Sequence, residues 1–264
     1  MTEKDIVEHL QVAITAANRA GAFVLKAEKQ GNHAIRQKQA NDFVTETDRL
    51  SEDLIISIIM EHFPSDAIFG EETGSSGTLE NGRWIIDPID GTTNFFRSLP
   101  DYSISIAWEK DPFKPLVGVV FNPRQNELFW ASKGGGAFLN GKPIQVSRLK
   151  EPSHALIVCV PPHRHHTLAV PYFENMYRIF LEASDLRSYG SCALELSYIA
   201  AGRIDGYYEL CLGYYDMAAG ICILEEAGGS FSPADPLVPF SDSRCDLVAS
   251  NGLIQDWLFH MVQE

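Results

Sequence analysis

Long apolar runs are missing from this chain of 264 residues. No stretch approaches the roughly 20 consecutive apolar residues of a membrane-spanning helix. The apolar core of a signal peptide is missing too, since Met1-Thr2-Glu3-Lys4-Asp5 is polar and leads into an amphipathic pattern. Cysteine is scarce. Cys159, Cys192, Cys211, Cys222 and Cys245 make five, an odd number, with no C-x-x-C pair. They read as reduced thiols and not as a disulfide framework or a zinc site. These absences predict a cytoplasmic protein with no membrane partner. Positive charge is also short: 21 Lys+Arg stand against 35 Asp+Glu, a formal net charge of -14. Nucleic-acid binding needs Lys and Arg to release counterions, so no direct nucleic-acid contact is expected. An anionic substrate would need a local reversal of the field, and carboxylates holding divalent cations would supply it.

What is present is an ordinary globular composition, 45% hydrophobic and 21% charged. That is enough chain for one large domain or two closely packed lobes. Helical spacing of Ile6, Leu10, Ala13, Ala17, Ala20 and Val24 predicts a first helix to about Lys29, stopped by Gly31-Asn32. Leu50, Leu54, Ile58 and Ile59 predict a second, with Thr47 or Asp48 near its start. Strand-like runs follow at 67–69, 84–86, 103–108, 116–121 and 127–130, with turns at 122–126, 134–136 and Asn140-Gly141. Beyond about Lys150 the reading is a strand at 155–158, helices around 171–181, 193–201 and 217–227, and a strand at 205–208. A boundary near Ser147 to Pro152 would divide an α+β lobe, 1–147, from an α/β lobe, 148–264. No internal repeat or low-complexity segment interrupts this order.

The most informative segment is Trp84-Ile85-Ile86-Asp87-Pro88-Ile89-Asp90-Gly91-Thr92-Thr93-Asn94-Phe95. An apolar strand ends in Asp87, Pro88 supplies no N–H, and Gly91 permits a sharp reversal. Asp87 and Asp90 can then face one centre. The N–H groups from Gly91 to Asn94 form an anion cradle beside it. Oxygen ligands suit Mg²⁺ better than zinc. The same D-P-x-D-G string is also turn chemistry, and Asp is a common helix cap.

The whole segment resembles the signature of the inositol monophosphatase family, within the lithium-sensitive, Mg²⁺-dependent phosphatases. Three more segments match in order: Asp42-Phe43-Val44-Thr45-Glu46-Thr47-Asp48, Phe69-Gly70-Glu71-Glu72, and Tyr215-Asp216-Met217-Ala218-Ala219-Gly220 continued to Glu226-Ala227-Gly228-Gly229. Tyr215 stands where the family usually has Trp. The resemblance implies a layered αβαβα sandwich and a phosphomonoesterase with two or three Mg²⁺ per active site. It assigns Glu71, Asp87 and the Ile89 carbonyl to the first metal and Asp87, Asp90 and Asp216 to the second. Thr92 and Asp48 would activate the water nucleophile, which requires a hydrogen bond between them, and no phosphoenzyme would form.

On the substrate side the resemblance implies phosphate contacts from Gly91, Thr92 and Thr93, with Thr93 offering its backbone N–H. Gly190, Ser191, Cys192 and Glu209 would face the polyol ring, with Cys192 where Ala is frequent. Lys38 reads either as a residue near a third metal or as a surface lysine, and His163-Arg164-His165-His166 as a surface loop. Phe113, Phe121 and Trp130 read as packing residues. The expected reaction is hydrolysis of a small sugar or polyol phosphate, with inositol 1-phosphate as reference and a homodimer as the assembly. Fructose-1,6-bisphosphatase, histidinol-phosphatase and 3′-nucleotide phosphatase are rivals within the fold. Thr93 argues against the last, where Lys is usual after G-T. A non-catalytic protein-docking role is the rival outside it.

Overall fold

The structure, a computed structural model, describes residues 3–30, 35–39 and 42–263. The chain opens with helix α1 (Glu3–Gln30), the hairpin β1 (Ile35–Gln39) and β2 (Asp42–Thr45), and helix α2 (Glu46–His62). There follow β3 (Ala67–Gly70), β4 (Gly74–Ser76), β5 (Arg83–Asp90), the short helix α3 (Thr92–Phe96), β6 (Ser103–Glu109), β7 (Pro115–Asn122), β8 (Glu127–Ser132), β9 (Gly136–Leu139) and β10 (Lys142–Ile144). The remainder is β11 (Leu156–Val160), α4 (Ala169–Glu182), β12 (Asp185–Arg187), α5 (Cys192–Ala200), β13 (Gly206–Leu212), α6 (Tyr214–Glu226), β14 (Ser230–Pro233), β15 (Cys245–Ser250) and α7 (Gln255–Met261).

An eight-stranded sheet has the order β10-β9-β8-β7-β6-β5-β3-β4, antiparallel except where β3 and β5 pair. A five-stranded sheet has the order β12-β11-β13-β15-β14, parallel at its β12-β11-β13 side. Side-chain alternation builds the layers. Trp84, Ile86, Ile104, Ile106 and Trp108 of the first sheet pack with Ala13, Ala17, Val24, Ile55 and Ile59 of α1 and α2. The opposite face, with Ile85, Ala107 and Val120, packs on Leu194, Leu196, Ala218 and Ile221 of α5 and α6. The same two helices meet Val158, Tyr207 and Leu247 of the second sheet. The outer face of that sheet carries Tyr172 and Ile179 of α4 and Leu258 of α7. Helix, sheet, helix, sheet, helix: this is the expected αβαβα sandwich. All nine residues of α5 are buried, because sheets cover it from both sides.

Several boundaries differ from expectation. The third of the late helices begins at Tyr214, three residues ahead of the predicted Met217, so Asp216 lies within its first turn. The stop predicted at Gly31-Asn32 and the side chain of Lys38 lie outside the described residues. Strands β14 and β15 and helix α7 had no sequence reading; Ser230–Pro233 is too polar to stand out, and α7 is only seven residues long. Phe121 is buried as expected, whereas Phe113 and Trp130 are partly buried at the core margins.

Candidate active site

The site begins with an interruption in β5. Every residue of this strand is buried. Asp87 pairs with Ser105 and Asp90 with Ser103, so three steps along β5 answer two along β6. In an uninterrupted strand, residues three apart point to opposite faces. The extra residue is a bulge that brings both carboxylates to one side. Pro88 lies where the ladder is broken and needs no donor. Asp87 Oδ1 accepts the Ile89 N–H at 3.0 Å, closing the turn. Gly91 then adopts φ +92, and a Cβ there would lie 2.9 Å from the Gly190 carbonyl and 3.0 Å from that of Asp101. Only glycine fits such a place without strain. The first intrahelical bond of α3 runs from Phe95 N–H to Gly91 O, 3.0 Å.

Asp216 comes to the same centre from α6, where its carboxylate caps the Gly213 N–H at 2.6 Å. Capping and a place in the acidic cluster therefore coexist. Carboxylate oxygens of Asp87, Asp90 and Asp216 all lie within 4.8 Å of one another. Burial, then the charges of Glu71, Asp90 and Asp216, pushes Asp87 well above the usual carboxylate range. Burial and Asp216 push Asp90 up to about 7, although Ser191 and Ala193 donate to it. The charges that act most strongly on both groups are those of other carboxylates. Clustered oxygen donors that repel one another suit a hard divalent cation such as Mg²⁺, whose charge would offset theirs. The residues thus fit the expected ion. Glu71 follows β3, its N–H held by the Ile86 carbonyl at 3.1 Å. It lines the same pocket, beside the three aspartates and outside their tightest grouping.

The Thr92–Asp48 hydrogen bond that the resemblance requires is present as well. Thr92 Oγ1 donates at 3.1 Å to Asp48 Oδ1 or, at the same distance, to the Ile89 carbonyl. Asp48 is fully buried on the first turn of α2.

Opposite the bulge, the loop before α5 closes the pocket. Ser191 Oγ and the Ala193 N–H both donate to Asp90 Oδ2, at 2.7 and 2.8 Å. Ser191 is accordingly turned toward Asp90; Gly190 and Cys192, with Ser188, line the cavity of about 370 Å³. Burial, then Glu209 and Asp90, pushes the Cys192 thiol up, away from the thiolate that would react. Glu209 also lines the cavity, accepts the Tyr207 hydroxyl, and is pushed up chiefly by burial. Thr92 and Thr93 lie on the α3 side. His163 and Arg164, expected as a surface loop, are exposed but form part of the cavity's rim.

Sequence reading passed over two supports. Asn94 Nδ2 donates to the Asp101 and Tyr189 carbonyls at 2.5 and 2.6 Å, tying α3 to the loop across the pocket. Glu195 Oε1 accepts the N–H groups of Tyr189 and Gly190 at 2.5 and 3.1 Å, fixing that loop from below. Asn94 could have been flagged by its place at the end of Gly-Thr-Thr-Asn; Glu195 gives no local signal.

The sequence model of the inositol monophosphatase family matches residues 5–264. The Nus factor SuhB of Haemophilus influenzae is 41% identical over 251 residues, 94% of either chain. Among solved structures, the extragenic suppressor protein suhB of Bartonella henselae is 32% identical with a TM-score of 0.90, covering 97% of this chain and 99% of that one. The inositol monophosphatase of Anabaena is 34% identical with a TM-score of 0.84, covering 98% and 96%.

Proposed function

Since the chain belongs to the inositol monophosphatase family, we propose that it hydrolyses a small polyol phosphate monoester with Mg²⁺ held by Glu71, Asp87, the Ile89 carbonyl, Asp90 and Asp216. Inositol 1-phosphate is the reference substrate. The observation that carries this reading is the convergence of Asp87, Asp90 and Asp216 within 4.8 Å beside a Thr92 hydroxyl bonded to Asp48. Bound Mg²⁺ would supply Lewis-acid polarisation of the phosphate and of the attacking water.

The protein's own groups perform the rest. Thr92 directs its hydrogen at Asp48 and keeps lone pairs for a water. As that water attacks phosphorus, Thr92 takes its proton and passes its own to Asp48, while the ester P–O bond breaks and the polyol leaves as an alkoxide that takes a proton from solvent water. Amides of Gly91, Thr92 and Thr93, at the start of α3, hold phosphate oxygens. Asp90, fixed by Ser191 and Ala193, keeps its orientation through the reaction. Glu209 and the Gly190 edge orient the polyol hydroxyls on the leaving side.

Phosphate release from inositol 1-phosphate, fructose 1,6-bisphosphate, histidinol phosphate and a 3′-phosphonucleotide at matched Mg²⁺ tests the proposal. Inositol 1-phosphate should lead, and full turnover in excess chelator would remove the reading. A second reading, docking to the transcription machinery, is favoured by the name Nus factor carried by the Haemophilus relative. The complete carboxylate set favours catalysis alongside such docking. A variant lacking Asp87 should lose phosphatase activity and keep any docking.

A further inference from the structure

Glu52 has entered no role so far, yet it is fully buried, at 0% exposure. It follows Asp48 by four residues on α2, so the two carboxylates stand one turn apart on one helix face. Asp48 receives the Thr92 hydroxyl. Glu52 receives the turn that carries Glu71: its Oε2 accepts the N–H groups of Glu72 and Thr73, each at 3.1 Å. Its Oε1 accepts the Thr73 hydroxyl at 3.1 Å. Gly70 completes the fit, since a Cβ there would lie 1.5 Å from Glu52 Oε1. The backbone before Glu71 therefore closes directly on the carboxylate. A buried carboxylate that keeps several donors is costly to disturb, because the buried group then loses the donors that satisfy it.

We infer that Glu52 is the positioning residue for Glu71, holding the turn from Glu71 to Thr73 so that the Glu71 carboxylate faces Asp87 across the cation site. The inference rests on the cation-binding reading of Glu71. It makes α2 the common brace of two parts of the chemistry, with Asp48 setting Thr92 and Glu52 setting the first metal ligand. Groups behind a ligand typically account for about 10–100-fold in metal affinity.

Calorimetric titration with Mg²⁺, with melting temperature and the Mg²⁺ dependence of phosphate release, tests the inference. Glu52→Ala should weaken Mg²⁺ binding by about 10–100-fold, with much of kcat recovered at saturating Mg²⁺. Glu52→Gln should stay close to the unaltered protein, because its carbonyl can take both N–H groups while its amide faces Thr73 Oγ1. Should the alanine variant fail to fold, Glu52→Asp, one methylene shorter, should show the same weakening. Variants that melt earlier but bind Mg²⁺ as tightly as the unaltered protein would show a merely structural glutamate and overturn the inference. An unaltered protein that binds no Mg²⁺ would overturn the cation-binding reading as well.

Discussion

Thr92 has one proton and two acceptors at 3.1 Å, the Asp48 carboxylate and the Ile89 carbonyl. The carboxylate is the one that can keep a proton, so the proposed relay would run toward Asp48. Such relays contribute about 10²–10⁴-fold. Thr92→Ala and Asp48→Asn should each lower kcat by about that factor, and the double variant should be little worse than either. Additive losses accompanied only by lower melting temperatures would reduce the pair to a turn residue and a helix cap. Glu195 gives a pH prediction. Burial pushes its carboxyl up to about 8, while the unfolded chain ionises near the ordinary carboxylate value of about 4.3. The folded state then holds a proton that the unfolded state has released. The contribution is whole below the unfolded value and lost as pH rises through the folded one. Glu195→Gln keeps an acceptor for Tyr189 and Gly190, so in chelator its melting temperature should gain on the unaltered protein between about pH 5 and about pH 8. The three aspartates were legible because each sits in a distinctive local string. Glu195 and Glu52 were not: Glu52 meets donors 20 and 21 residues away, a match that only tertiary packing creates.

At the scale of elements, α1 was readable from period alone, whereas α5 and β5 are buried all round and carry no period, so they were read from apolar runs, β5 only over residues 84–86. Strand β5 is tied to α6 by a buried polar link. Glu109 of β6, 1% exposed, accepts Arg83 Nε and the Tyr214 hydroxyl, both at 2.6 Å. Tyr214 opens α6 two residues ahead of Asp216. Arg83 reaches on to Asp242 at 2.9 Å. Removing one partner of a buried ion pair strands the other, at about 3–5 kcal/mol. Arg83 keeps Asp242 as a partner, so Glu109→Ala should lower the unfolding free energy by less, about 1–3 kcal/mol in a denaturant titration, the cost of the polar groups it leaves unpartnered. A loss below about 1 kcal/mol, the level of a surface pair, would mean that the link is not holding the elements together.

For the whole molecule, the proposed cation binding would be linked to folding. The proposed ligands come from the segment after β3, from β5 and from α6, and they come together only in the folded chain. A cation at about 100 times its dissociation constant should add about 2.7 kcal/mol of stability. Mg²⁺ and Ca²⁺ should both raise the melting temperature of chelator-treated protein. Only Mg²⁺ should support phosphate release, because Ca²⁺ accepts looser geometry and should misplace the water. Equal turnover with both ions would argue against a cluster that demands tight coordination.

The bulge in β5 should make this chain sensitive to deletion there. Most losses of function come from changing what a residue is; here the number of residues between two aspartates matters as much. Deleting Ile89 would leave Asp87 and the next aspartate two apart, with the ladder to β6 free to run without interruption. Pairing would improve while the turn that offers the Ile89 carbonyl and starts α3 at Gly91 would be lost. A mutational scan should therefore find Ile89→Val or Ile89→Leu mild, since Ile89 is a core residue whose proposed ligand is its backbone carbonyl, and its deletion inactive with the fold retained by circular dichroism. The code for the site at this point is a spacing, and selection on it would act through indels as strongly as through codon changes.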